Sequence, residues 1–358
     1  MTAGTLVGSY DEGRALLNNP AQRGAYGALA VVLLVLPWVM PTFYVGEAAY
    51  IFIMCIASLG LMTLTGFTGQ VSLGQAAFLS IGAYTHAQLL GQGVPLPLSL
   101  LGAGLCAGFV GLLIGLPAIR VSGLHLAIVT LAFAIVTEHI MGRWTAFTGG
   151  HSGMAVPEPV LFGYSLAAPL PFYYLCLAML VIVLLLLVNL MRSATGRAFV
   201  GVRDSEAAAQ GLGIHVARTK VTAFVISAVV SGVAGALLAH QTQFITPEGF
   251  GLALSLQLVL MVFIGGMGSL RGAILGALLI GMLPSLISLF KELLPSRIGN
   301  QLGLELFVYG AVLVFFVLLE PRGLNGRWVR LRNALHEFPL LSPTAARRQK
   351  SYMRSERA

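Results

Sequence analysis

Charge is scarce in this chain: Asp, Glu, Lys and Arg make up 9% of its 358 residues, against roughly a quarter in soluble globular proteins. That excludes an ordinary water-soluble domain, which could not cover its surface with so few polar side chains. Lysine is rarer still. Lys220, Lys291 and Lys350 follow Thr219, Phe290 and Gln349, so none completes the G-x-x-x-x-G-K-[ST] loop that cradles nucleotide phosphates. Neither an H-E-x-x-H zinc helix nor a G-x-S-x-G nucleophile turn is present, so the chain is not expected to be an enzyme or to bind a cofactor. Cys55, Cys106 and Cys176 each lie in an apolar stretch with no second cysteine or histidine at metal-ligand spacing. They read as packing residues.

What the chain has is apolar sequence. Hydrophobic residues make up 57%, mean hydropathy is +0.87, and the 43 glycines suit helices that approach closely within a membrane. The fold class is therefore an all-α integral membrane protein, a polytopic helical bundle. About 20 apolar residues cross the hydrocarbon layer, and ten candidate spans (eight to ten allowing for the weakest) are predicted near 24–41, 46–65, 71–90, 97–117, 121–141, 164–191, 221–240, 252–267, 272–290 and 303–320. The organisation is then a short segment 1–23, a membrane domain 24–320 and a basic tail 321–358. The leader before the first span carries Asp11 and Glu12 and no small-x-small cleavage site, which predicts a retained helix.

Charge orients the bundle. With both termini cytoplasmic, only Arg143, Lys291 and Arg297 of the 21 Lys and Arg residues fall outside, as the positive-inside rule requires. The net charge of +8 concentrates in the tail, which reads as holding anionic lipid headgroups rather than nucleic acid. The outer loop 142–163 is rich in Gly and Pro and reads either as a docking surface or as a plain connector. His151 lies in it without an acidic sequence neighbour and is not expected to hold a metal. Ionisable groups within spans are few: His86, His125, Glu138, His139, His240 and Glu305. Glu138, His139, His240 and His86 are expected near outer ends, within reach of interfacial water. A midplane acid, which an ion-coupled carrier would be expected to need, is missing.

Three segments stand out. Residues 192–220 form a charged island in which Arg192, Arg197, Arg203, Arg218 and Lys220 face only Asp204 and Glu206. Within it Asp204–Gly211 reads as a short helix opened by an acidic cap and closed at Gly211 or Gly213. The stretch Thr65–Tyr84, TGFTGQVSLGQAAFLSIGAY, is loose and weakly apolar for a span. Irregular backbone at membrane depth survives only against protein or a wet cavity, so this stretch either lines a path or packs at a helix crossing. A second glycine-rich passage, Gly265–Gly276, holds a comparable place after the island and hints at two related halves.

Together, the Thr65–Tyr84 stretch, Arg203-Asp204-Ser205-Glu206-Ala207-Ala208 with Gly211-Leu212-Gly213-Ile214, and Phe263–Gly276 resemble the LivM-type permeases of branched-chain amino acid ABC importers, over about residues 25–325. The resemblance implies the ABC importer permease fold in a bacterial inner membrane. It also implies a second, LivH-like permease subunit, two cytoplasmic ATPases that bind ATP and Mg²⁺, and a periplasmic substrate-binding protein. The island would be the coupling helix, with Glu206, Ala207, Ala208 and Gly211 matching and no clear downstream I-x-L-P. On this reading Ala207, Ala208 and Ala209 leave a narrow docking face, Arg203 and Glu206 supply charge at its rim, Asp204 is a further coupling residue, and Gly211 and Gly213 turn the chain back. Gly69, Gln70, Ser72, Gly74, Gln75 and Tyr84 are the candidates for the translocation path. Urea or short amides are the alternative cargo within the family, and an ion-coupled carrier or a channel the alternatives outside it.

Overall fold

A computed structural model describes residues 20–121, 123–161, 163–285 and 323–328, with single positions 287, 310 and 314. The chain runs through α1 (Pro20–Val39), α2 (Thr42–Leu61), α3 (Gln75–Gly91), α4 (Leu96–Ala118), α5 (Leu124–Arg143), α6 (Pro169–Arg192), α7 (Ala194–Asp204), α8 (Glu206–Gly211), α9 (Val216–Thr242), α10 (Leu252–Gly265) and α11 (Leu270–Gly281). Two-residue strands pair Met154–Ala155 with Phe244–Ile245 and Val160–Leu161 with Tyr164–Ser165, both antiparallel.

Among the described residues, six helical segments are long and apolar enough to cross a membrane: Thr42–Gly66, Leu96–Ala118, Leu124–Arg143, Pro169–Arg192, Val216–Thr242 and Pro247–Gly265. Tyr26–Val39 and Leu270–Ser285 are shorter apolar helices, and α3 has 17 residues. The segment expected at 71–90 is thus shorter than anticipated, and the one expected at 252–267 falls largely within the 19-residue span Pro247–Gly265. Apart from positions 310 and 314, the span expected at 303–320 lies outside the described residues, as do the segment 1–19 and nearly all of the tail.

α2 and α9 are the centre of the bundle. From Ile53 to Leu64 every residue of α2 and the turn after it is buried, whereas α4 and α5 expose Leu105, Phe109, Leu113, Ile128 and Val136 on their outer faces. A helix apolar all round is one packed on all sides, and apolar outer faces suit hydrocarbon. α9 lies against α2, α3 and α4. Its approach to α3 is so close that a Cβ added at Gly235 would collide with the Leu79 carbonyl, and one at Gly82 with the backbone of Gly232. Glycine lets helices meet backbone to backbone, where packing replaces the absent hydrophobic drive. Gly235→Val is accordingly expected to destabilise the bundle by about 3 kcal/mol or more, read as a lowered unfolding midpoint in detergent, whereas Gly91→Val, with open space around its Cβ, leaves the midpoint unchanged.

The ends of the bundle are marked by side chains. At the end carrying the island, the Arg271 guanidinium lies 5.9 Å from the ring centre of Tyr26. At the opposite end, Trp38 Nε1 donates to Tyr174 OH at 2.9 Å, and the 142–163 loop is stitched to residues 243–248 by strand pairing and by His151 Nδ1 to Glu248 Oε1 at 2.7 Å. Sequence adjacency did not show this last contact, because the two residues are 97 positions apart.

Candidate coupling site and the interrupted span

α2 does not end as an α-helix. It loosens into a π-turn over Met62–Gly66, and residues 69–74 then run without helical hydrogen bonding until α3 begins at Gln75. Polar side chains take over what the ladder no longer supplies. Thr65 Oγ1 donates to Gln70 O at 3.1 Å, Thr68 Oγ1 donates to Leu64 O, Leu73 N donates to Thr130 Oγ1 at 3.0 Å, and Gly74 N donates to Ser72 Oγ at 3.3 Å. Such substitution is what permits irregular backbone inside a bundle. The span expected to start at residue 71 starts at Gln75 for this reason.

The candidate path residues fall along this break and the helix after it. Gln70, Ser72, Gln75 and Tyr84 are buried, while Gly69 sits exposed at the island end. Gln75 Nε2 donates to Ser227 Oγ at 3.0 Å and also to Ser231 Oγ, both on α9. Ala76 N donates to Ser255 Oγ on α10 at 3.1 Å. The partners Thr130, Ser227, Ser231 and Ser255 carry no signal in the sequence beyond being polar within apolar runs. Among the described residues, the buried side-chain atoms without a hydrogen-bond partner are Gln70 Oε1, Gln75 Oε1, Ser80 Oγ, Tyr84 OH and His86 Nδ1. All five lie between residues 70 and 86. A buried polar atom left unpaired costs about 1–3 kcal/mol, so a run of five marks this segment as kept for something other than stability.

The island folds into two helices, of which the sequence reading anticipated one. Ser193 Oγ accepts from Gly196 N to open α7, which packs Phe199 and Val202 inward. Asp204 closes α7, and Ser205 rather than the expected acidic residue caps α8, its Oγ accepting from Ala208 N at 3.2 Å. The α8 helix ends in a Schellman arrangement: Ile214 N donates to Ala209 O at 3.0 Å and Gly213 N to Gln210 O at 2.9 Å. Gly213 takes the left-handed backbone there, φ 81°, which glycine adopts without penalty. Gly211 is an ordinary helical position facing open space, so the return turn belongs to Gly213.

The alanines divide. Ala209 is buried among Val202, Val216 and Ile214, whereas Ala207 and Ala208 are exposed. Beside them Leu212 is 83% exposed, an apolar side chain at the tip of the island that the sequence reading did not single out. Two small residues and a protruding leucine make a shallow apolar face suited to a protein groove.

Both charges expected at the rim are engaged within the chain. Lys220 Nζ meets Glu206 Oε1 at 2.7 Å, with the lysine side chain only 6% exposed, and the Lys220 carbonyl accepts from Gln70 Nε2 at 3.4 Å. Arg203 reaches further. Its Nε and Nη2 donate to Asp204 Oδ1 at 3.0 and 2.9 Å, and its Nη1 donates to Gly66 O at 3.1 Å. A Cβ placed on Gly268 would lie 2.7 Å from Arg203 Nη1, and one on Gly69 3.1 Å from Arg203 Cγ. Gly69 and Gly268 have φ of 72° and 80°. One guanidinium therefore stands where the two glycine-rich passages meet, and Gly66, 137 positions before it in sequence, and Gly268, 65 positions after it, converge on the root of α8.

His86 and His240, expected in interfacial water, are instead buried against each other, Nε2 to Nε2 at 2.8 Å. No Asp or Glu among the described residues is buried, and no group of three or more His, Cys, Asp or Glu among them could hold a metal ion.

The family model described as branched-chain amino acid transport system / permease component matches residues 43–317. The high-affinity branched-chain amino acid transport system permease protein LivM of Salmonella typhimurium is 33% identical over 326 residues, 83% of this chain and 73% of that protein. The autoinducer 2 import system permease protein LsrC of Enterobacter sp. is 29% identical over 75% of this chain and 76% of its own. A probable branched-chain amino acid transport permease protein LivH of Methanocaldococcus jannaschii is 26% identical over 81% of this chain and 94% of its own. No solved structure matches.

Proposed function

This chain belongs to the branched-chain amino acid transport system permease family of ABC transporters, a multi-pass inner-membrane permease rather than an enzyme, and from that premise we propose that it forms half of the path of an ATP-driven importer for branched-chain or other hydrophobic amino acids. In this reading two cytoplasmic ATPases carry the ATP and Mg²⁺, a LivH-like subunit supplies the other half of the path, and a periplasmic binding protein delivers the substrate. The island and both termini face the cytoplasm.

The observation that carries the reading is the linkage from α8 into the interrupted span. The exposed Ala207, Ala208 and Leu212 face is the surface an ATPase would grip. Behind it, Glu206 is held by Lys220, whose carbonyl meets Gln70, and Arg203 is bonded to Gly66. A displacement of α8 is thereby delivered to the backbone break at residues 66–74, where an irregular segment yields more easily than a helix would. Gln70, Ser72, Gln75 and Tyr84 present uncharged hydrogen-bonding groups, which suits a conduit that must release what it takes up. The choice of amino acids over amides rests on the LivM likeness; relatives named for autoinducer 2 import keep the cargo class open to test.

Co-purification tests the reading. Tagged chain extracted from host membranes is expected to bring down two P-loop ATPases and a second permease, and Gly211→Leu, which meets open space in the chain itself, is expected to fold normally yet weaken ATPase recovery. Full ATPase recovery together with normal uptake in Gly211→Leu counts against α8 as the gripped surface.

A further inference from the structure

At the end of the bundle opposite the island lies a cavity of about 370 Å³, bounded by Gly46 at the start of α2, residues 156–159, the start of α6 and the end of α9. Its walls are of two kinds. Val156, Pro157, Pro159, Pro169 and Phe172 are apolar, and Glu158, His240, Gln241 and Gln243 are polar. The volume falls within the 300–1,000 Å³ range of small-molecule sites, which pair apolar lining with a few placed polar groups.

The cavity is built rather than incidental. Val156 N donates to Gln243 O at 2.9 Å and Leu166 N to Pro159 O at 2.7 Å, and Gln241 Nε2 donates to Gly46 O at 3.2 Å. Ser165 Oγ donates to Glu158 Oε2 at 3.1 Å, which leaves the other carboxylate oxygen for a ligand. Gln243 has φ 60°, a left-handed backbone for a non-glycine residue, and it is the single such case among the described residues. That conformation costs on the order of 1 kcal/mol; it is the left-handed cap that ends α9, with Gln243 N donating to Ala239 O at 3.0 Å, and it places Gln243 at the cavity rim. The floor is His240, whose ring lies edge-on to Phe172 and whose Nε2 meets His86 Nε2 on α3. The cavity floor is thus bonded directly to the helix that carries Gln75 and Tyr84.

We propose that this cavity is a receiving site for a zwitterionic amino acid with an apolar side chain, Glu158 taking the ammonium group, the Gln241 and Gln243 amides facing the carboxylate, and the proline and phenylalanine wall taking the side chain. The proposal rests on the permease reading and extends it to a site separate from the interrupted span. The His240–His86 contact passes occupancy of the cavity to α3. An isolated carboxylate beside apolar walls selects for a cation carried on an apolar body, so a neutral amide such as urea, or a carboxylic acid lacking the ammonium, is held poorly.

The test uses the whole transporter with its partner subunits in right-side-out vesicles. Cys106, exposed on α4, is replaced by alanine, while Cys55 and Cys176 are buried and stay. Ala167→Cys places a thiol at the cavity wall, and its modification by a membrane-impermeant thiol reagent is timed. L-Leucine at ten times its dissociation constant is expected to slow modification about tenfold, 4-methylpentanoate and urea are expected to leave it unchanged, and Glu158→Gln is expected to remove the protection by leucine while the subunits still co-purify. Leucine uptake is measured in the same vesicles. Unprotected labelling with intact uptake overturns the cavity proposal and leaves the permease reading standing; absence of uptake for any branched-chain amino acid overturns both. Equal protection by urea, or protection by the binding protein whether or not it carries substrate, also overturns it, pointing to a neutral amide or to a docked protein loop as the occupant.

Discussion

Arg203→Ala is expected to leave the transporter assembled and hydrolysing ATP while substrate uptake falls about tenfold to a hundredfold. The guanidinium makes three charge-assisted hydrogen bonds, two to Asp204 and one to the Gly66 carbonyl, and bonds of this kind contribute about 1.5–3 kcal/mol each. The Asp204 pair is local to the junction of α7 and α8 and partly exposed, so it stabilises little. The Gly66 bond joins the island to the interrupted span, and losing about 1.4–2.8 kcal/mol of linkage shifts a conformational equilibrium tenfold to a hundredfold. Arg203→Lys is expected to recover little, since a point charge cannot hold Asp204 and Gly66 at once. An independent change reaches the same contact from the other side. Gly268→Ala would place a methyl group 2.7 Å from Arg203 Nη1 at a position with φ 80°, and is expected to show the same separation of hydrolysis from uptake. The measurement is the ratio of substrate moved to ATP hydrolysed in proteoliposomes; an unchanged ratio in both variants refutes the linkage.

Leu212→Glu combined with Ala208→Trp should abolish ATPase recovery, a loss of at least a hundredfold in affinity, with the chain's own fold intact. Leu212, in the turn just after α8, is 83% exposed and Ala208 is exposed on that short helix, so neither substitution disturbs the internal packing, which uses Ala209, Val202 and Val216. A central apolar anchor at a protein interface commonly accounts for 2 kcal/mol or more, and a buried carboxylate or an indole wedged into the groove adds to the loss. Glu206 is the wrong residue to change for this purpose. Its carboxylate holds Lys220, and a reversed charge there would face a buried cation and damage the island itself. Circular dichroism and the unfolding midpoint of the double variant distinguish a lost interface from a lost fold.

The sequence announced its membrane class through the scarcity of charge, and the long apolar runs gave α4, α5, α6 and α9 to within a few residues. Period and hydropathy could do this because each of those helices is continuous. They did less well where polar side chains replace helical hydrogen bonds. The start of α3 moves from residue 71 to Gln75 because Thr130 and Ser72 take the backbone donors of Leu73 and Gly74, and Thr130 lies 57 positions away. α7 was hidden within a charged island, since its apolar content is limited to a few inward residues such as Phe199 and Val202. The Arg203 contact with Gly66 spans 137 positions and the His86 contact with His240 spans 154. One chain read along its length shows each partner as an isolated polar residue. The two glycine passages were legible as similar, but their meeting at one guanidinium became visible only in the fold.

An ion-coupled carrier needs a titratable group committed within the membrane; among the described residues the buried Lys, Arg, His, Asp and Glu side chains are Lys220, which meets Glu206, and His86 and His240, which meet each other. The most direct measurement is therefore uptake of labelled leucine by proteoliposomes that contain the assembled transporter and binding protein, with ATP present or absent at the ATPase face and with the proton gradient intact or collapsed. Uptake that requires ATP and ignores collapse of the gradient is the predicted result. Uptake that proceeds without ATP and stops when the gradient is dissipated would contradict the account at its centre.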